Sequence, residues 1–162
     1  MEGARPPMEG ARPATEADLP ALTELAADAV AELTPQRGGS MWARTVGRRR
    51  PYDVGLMAAI ADPNALVLCG TVDDAVVGYA VVHLDALADA SLLAVIDDLY
   101  TEPGARAVGV GEALLDGVVE WATTRGAIGL DAVVLPGARE TKNFFETFGL
   151  RARALVVHRD LP

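Results

Sequence analysis

The apolar residues of this chain change their spacing at Ala65, and that change decides what it can fold into. Upstream, Leu19, Leu22, Leu25, Ala26, Ala29, Val30 and Leu33 recur three and four apart, which predicts an amphipathic helix over Asp18–Leu33. Asp18 can cap it, with Pro20 tolerated in the first turn, and Thr15 with Asp18 three residues on offers another cap. Met41–Ala61 looks helical at both ends but is broken around Gly47–Pro51, because Pro51 cannot continue a helix. From Ala65 the period becomes that of strands. Ala65–Val72 and Ala75–Leu84 are rich in Val and Leu and meet at Asp73-Asp74, a hairpin signal. Ser91–Thr101 predicts a third such strand, followed by a helix from Gly109 to Arg125, a strand at Leu130–Leu135, a helix at Arg139–Phe148 and a last strand at Ala152–His158. With an opening strand before the first helix, an antiparallel meander then runs into strand–helix–strand passages. The expected fold class is therefore α/β in the α+β sense, one mixed sheet flanked by helices.

Length and charge narrow the function. The 162 residues suit one domain, expected over residues 10–162, and no apolar run approaches the ~18 residues needed to span a bilayer. MEGARP stands at Met1–Pro6 and again at Met8–Pro13, so residues 1–9 read as a disordered leader, a duplicated start or expression remnant. This opening is not a secretory signal, so a cytoplasmic protein is expected, with no membrane partner. Cys69 is the only cysteine, and His83 and His158 lie far apart, so no zinc-type ligand spacing exists and no metal is expected. A formal charge of −9 repels phosphate backbones and attracts cations, which disfavours nucleic acid and favours an amine small molecule or a basic peptide. The only basic run, Arg48-Arg49-Arg50, reads as a solvated turn or as a clamp on a phosphate or an acidic acceptor.

The chemistry is concentrated in Val95–Glu112. A strand ends, the chain turns at Pro103-Gly104, and a helix starts through Arg106-Ala107-Val108-Gly109-Val110-Gly111. Glycines before a helix let the backbone approach a ligand, and the first N–H groups of a helix lack internal partners and carry positive potential. A phosphate or pyrophosphate suits such a place. No Lys-Ser or Lys-Thr follows Gly111, so a P-loop is absent, and Gly109-x-Gly111 lacks the third glycine of the dinucleotide fingerprint.

Arg106, Gly109 and Gly111, with Asp98–Pro103 before them and Leu114 and Leu115 after, resemble the signature of the GNAT superfamily of CoA-dependent N-acetyltransferases. Phe144–Leu150 is similar to the family's Phe-Tyr-Glu-x-x-Gly-Phe segment, and Arg12–Thr15 with Asp18-Leu19-Pro20 to a common GNAT start. The resemblance covers roughly residues 10–158. It implies a sheet whose fourth and fifth strands splay apart, with pantetheine bonding near Leu99, Tyr100 and Thr101. The pyrophosphate would take N–H groups from Arg106, Ala107, Val108, Gly109, Val110, Gly111 and Glu112, with Asn143 and Phe144 as further contacts. It implies acetyl-CoA as co-substrate, direct transfer to a primary amine in a ternary complex, and admits a homodimer. Asp97-Asp98 resembles the paired carboxylates of the diamine acetyltransferase branch, so both are candidate catalytic residues, as base and amine contact. Neighbours on a strand face opposite ways, so only a local bulge could bring both into play. Two residues depart from the family pattern. Phe145 stands where a tyrosine commonly protonates the leaving thiolate, which leaves Tyr100 or water to substitute. Ala138 stands near the family's Asn. His83 reads as structural rather than as a base. Phe145 also favours a second reading, a GNAT-fold CoA sensor or interaction module without catalysis. The acceptor loops Thr34–Asn64 and Asp85–Ala90 carry no readable specificity.

Overall fold

The computed structural model describes residues 8–162, and the first copy of MEGARP lies outside the described residues. Glu9, assigned to the leader from sequence, opens β1 at Glu9–Pro13. The helical periods form α1 at Leu19–Leu33, α2 at Gly39–Thr45 and α3 at Tyr52–Ala61, with the predicted break between the last two. Thr15 N–H donates to Asp18 Oδ2 at 2.9 Å in a capping box ahead of α1, and Arg12 forks onto both oxygens of the same carboxylate at 2.8 Å. Strands β2 (Ala65–Val72), β3 (Ala75–Ala86) and β4 (Leu92–Thr101) form the meander. Asp73 and Asp74 both take positive φ, 47° and 69°, which a two-residue hairpin of the primed type requires. The second half is α4 (Val110–Thr124), β5 (Ala127–Ala132) and α5 (Arg139–Thr147).

The sheet runs β1-β2-β3-β4-β5, antiparallel except for the parallel β4–β5 pair. Helices cover both faces. On one, Val110, Leu114, Leu115 and Val118 of α4 and Phe145 of α5 pack on Leu68, Ala80, Val82 and Ile96. On the other, Leu22, Leu25 and Ala26 of α1 and Tyr52 and Leu56 of α3 pack on Val67, Cys69, Tyr79 and Val81. Gly70 lets α4 sit tight on the sheet, since a Cβ there would lie 2.5 Å from Val110 Cγ1. Burial, then the nearby Asp18 charge, pushes the Cys69 thiol up to about 12, so it behaves as a core side chain. No helix among the described residues is long and apolar enough to cross a membrane.

Two sequence expectations are corrected. The fifth strand lies at Ala127–Ala132, not Leu130–Leu135: Gly126 takes φ +77°, ends α4 abruptly, and sends Ala127 directly onto Leu92. The last strand, expected at Ala152–His158, does not form within this chain, because residues 151–162 pair with no strand here and stand exposed.

Candidate active site

A cleft opens where β4 outruns β5. Their pairing ends at Ile96 with Ala132, while β4 continues to Thr101, so the predicted splay between the fourth and fifth strands is present. The cleft holds about 360 Å³. Val30, Leu33 and Trp42 line one side, Val134, Leu135 and Phe144 another, and the residues of β4 from Ile96 to Thr101 run along it.

A bulge on β4 shapes its chemistry. Val82 pairs with Ile96 and Val81 with Asp98, so Asp97 is the extra residue with no partner across. The insertion changes which face follows. Ile96 packs under α4, whereas Asp98, two residues on, accepts a 2.6 Å hydrogen bond from the hydroxyl of Tyr79, which belongs to the α1–α3 face. His83 shares the strand parity of Tyr79 and Val81, and its Nδ1 lies 2.7 Å from Asp97 Oδ2. The bulge therefore puts both carboxylates on one face, which regular alternation forbids.

Their surroundings differ. Arg48 donates from Nε and Nη2 to the two oxygens of Asp98 at 2.8 and 2.6 Å, and both side chains are nearly buried. Burial opposes the Arg48 charge, but Asp98 more than offsets it, and the guanidinium pKa is raised. Burial and then Asp98 hold the Tyr79 phenol well above its ordinary value. Both oxygens of Asp98 are thus engaged by hydrogen bonds from its own chain. Of the basic run, Arg48 is tied to a carboxylate of its own chain rather than held out as a clamp on a phosphate or an acceptor, while Arg49 and Arg50 are exposed. Asp97 is about one-third exposed and its one side-chain partner is His83. Burial raises the Asp97 pKa, and the His83 hydrogen bond opposes this without cancelling it. Burial lowers the pKa of His83, but Asp97 and then Asp85, 3.0 Å from Nε2, raise it further, so the net shift is upward. With a carboxylate at each ring nitrogen, the imidazole donates to both when it is protonated.

At the other end of β4, a 3-10 turn (Pro103–Val108) leads into α4 through Gly109 at φ +88°, the left-handed region that glycine enters without strain. Arg106 donates to the Thr101 carbonyl at 2.9 Å and to Glu32 Oε2 at 2.7 Å, and stacks over Tyr100. Leu99, Tyr100, Thr101, Arg106, Gly111, Glu112 and Phe144 line the cleft. Ala107, Val108, Gly109 and Val110 form the approach to α4 behind them, Val110 fully buried, and Asn143 is exposed on α5. A Cβ at Gly111 would touch the Phe144 ring at 3.5 Å, so a side chain there would project into the cleft. Phe145 is 6% exposed, packed in the core beneath α4 and edge-on to Phe144. No group of three or more potential metal ligands occurs among the described residues. Trp42, Glu32 and Tyr79 carried no signal in the sequence; each reaches the cleft from an element distant along the chain.

The Acetyltransferase (GNAT) family model matches residues 29–150. No curated protein matches the sequence. Among solved structures, a transcriptional regulator from Bacillus halodurans C-125 is similar at 21% identity and TM-score 0.71, covering 95% of this chain and 100% of its own. An acetyltransferase from Trypanosoma brucei is similar at 20% identity and TM-score 0.68, with 95% and 100% covered. The AAC(6')-Iy structure, in complex with the bisubstrate analogue CoA-S-monomethyl-acetylneamine, is similar at 15% identity and TM-score 0.72, with 96% and 99% covered.

Proposed function

Since the chain belongs to the GNAT acetyltransferase family, we propose that it transfers the acetyl group of acetyl-CoA directly to a primary amine of a cationic small molecule or basic peptide, in the cytoplasm. The observation that carries this reading is the bulged Asp97, held by His83 at the point where β4 parts from β5. The residues suit CoA: a β4 backbone that from Asp97 to Thr101 is unpaired on its β5 side, a helix N-terminus at Val110, and space over Gly111. Leu99–Thr101 would hold the pantetheine amides and the Arg106–Glu112 turn the phosphates. When bound, acetyl-CoA supplies an acetyl carbon activated by its thioester.

The chain's own residues then have distinct tasks. The Asp97 carboxylate accepts a proton from the acceptor's ammonium nitrogen, freeing the lone pair that attacks. His83 orients that carboxylate. Asp98, already paired, positions Arg48 and with it the α2–α3 connection as a cleft wall. Glu112 and Glu140 add acidic side chains to the cleft, which suits a cation. The bisubstrate analogue in one similar structure, which joins CoA to acetylneamine, supports an amine acceptor. Phe145 has no proton to give, so the leaving thiolate is protonated by water or Tyr100. That same residue is what favours the second reading, a CoA-binding module without turnover.

A thiol-release assay with acetyl-CoA over a panel of polyamines, aminoglycosides and basic peptides tests the proposal. The expected result is amine-dependent thiol release with a one-acetyl mass gain on the acceptor. Saturable CoA binding with no release across the panel would leave only the binding module.

A further inference from the structure

The charges around the cleft can be counted. Among the described residues, five carboxylates line it: Glu32, Asp97, Asp98, Glu112 and Glu140. Glu112 and Glu140 belong to α4 and α5, the side on which the CoA phosphates are assigned. The other three stand on the side of α1 and α2. There Arg106 donates to Glu32 at 2.7 Å, and Arg48 holds Asp98 at 2.8 and 2.6 Å. Three carboxylates against two guanidiniums leave one negative charge, and it falls to Asp97. His83 does not change the balance, because Asp85 stands 3.0 Å from its other ring nitrogen. The rest of this side is apolar: Val30 and Leu33 of α1, Trp42 of α2, and Val46 just beyond α2. Val46 is 47% exposed although it lines a cleft, so apolar surface is kept open to water there.

We propose that the acceptor is a primary monoamine on an apolar body, aromatic or aliphatic, rather than a polyamine or a basic peptide. The inference rests on the acetyl-transfer reading above and narrows its acceptor. One ammonium satisfies Asp97. A second, several bonds further out, would meet Val30, Leu33, Trp42 and Val46 and lose water without gaining a partner. The body of a monoamine covers that same wall instead, and a cleft of about 360 Å³ suits one ring or a short chain. In the step itself the nitrogen–carbon bond forms as the carbon–sulfur bond breaks. Of the two protons the ammonium nitrogen loses, one passes to Asp97 and one ends on the CoA thiol.

Matched amines test this through kcat/KM in a thiol-release assay with acetyl-CoA. From butylamine to hexylamine the value should rise by about fourfold per methylene, as each is buried on the wall. Hexamethylenediamine differs from hexylamine only by a second ammonium and should fall below it by roughly tenfold. Phenethylamine should likewise exceed spermidine. Val46→Glu puts a carboxylate into the wall at a position exposed enough to accept it, and should improve the diamine relative to hexylamine by about three- to fivefold. A diamine that matches or exceeds hexylamine in the unmodified protein would overturn this inference and leave acetyl transfer standing. A diamine preference unmoved in Val46→Glu would also overturn it, by removing the α1–α2 wall from the acceptor site. Absence of turnover with every amine would instead overturn the transfer reading, and this inference with it.

Discussion

Asp97 and Asp98 are adjacent in sequence and opposite in chemistry, and the difference comes from what each touches. Asp98 is saturated by Arg48 and Tyr79, while Asp97 keeps its charge available at the cleft. Asp97→Asn is therefore expected to lower kcat/KM by about 10²–10⁴-fold at neutral pH. Part of that loss should return at high pH, where more of the acceptor is already neutral. Because burial holds the Asp97 pKa above the usual carboxylate value, the acid limb of the rate profile should fall at a higher pH than an ordinary aspartate would give. The His83 bond favours the ionised carboxylate, so His83→Leu should move that limb to still higher pH. An unmoved limb would reduce His83 to a packing role. Phe145 tests the missing acid. It sits in apolar surroundings, so the hydroxyl of Phe145→Tyr lacks a partner and should cost about 1–3 kcal/mol in a thermal melt, with no gain in single-turnover rate.

The elements that build the cleft have separable sensitivities. Gly111 has ordinary backbone angles and Gly109 does not, so the two glycines report different things. Gly111→Val should fold normally and lose CoA affinity in calorimetry, as the new side chain meets Phe144 and fills the approach. Gly109→Val forces a β-branched residue to φ +88° and should lower stability as well. Unchanged CoA affinity in Gly111→Val would move the phosphate site elsewhere. The α2–α3 connection hangs on one ion pair. Arg48→Ala leaves Asp98 and the Tyr79 hydroxyl nearly buried without their cation, and about 3–5 kcal/mol should be lost in denaturant titration. Arg48→Met with Asp98→Leu, which removes both charges, should recover most of it if desolvation is the reason.

For the whole molecule, acid stability is anchored where β1 meets α1. The Arg12 hydrogen bonds, opposed by burial, hold the Asp18 carboxylate well below its ordinary value. A depressed carboxylate stabilises the fold above its unfolded value of 3.8 and loses that contribution as pH falls through the folded value. Asp18→Asn should thus lower stability at pH 7 by about 1–3 kcal/mol and flatten the decline below pH 4. A parallel decline in both proteins would place the acid sensitivity elsewhere. Much of the architecture was legible in the sequence. The 3.6 period of α1, the two-residue period of β2 and β3, the turn at Asp73-Asp74, the break at Pro51 and the glycines before α4 are local patterns that read the same alone or folded. Two boundaries did not read correctly. The start of β5 depends on where Gly126 lets the chain meet β4, and the tail's apolar pattern pairs with no strand of its own chain. The site divides in the same way. The phosphate-binding turn is a contiguous segment, so its residues and their chemistry are visible in order. The carboxylates became distinguishable only in three dimensions, because one inserted residue in β4 turned Asp98 toward an arginine fifty positions upstream and left Asp97 to His83. Strand register and long-range pairing set those partners, and neither is written in the local spacing of residues.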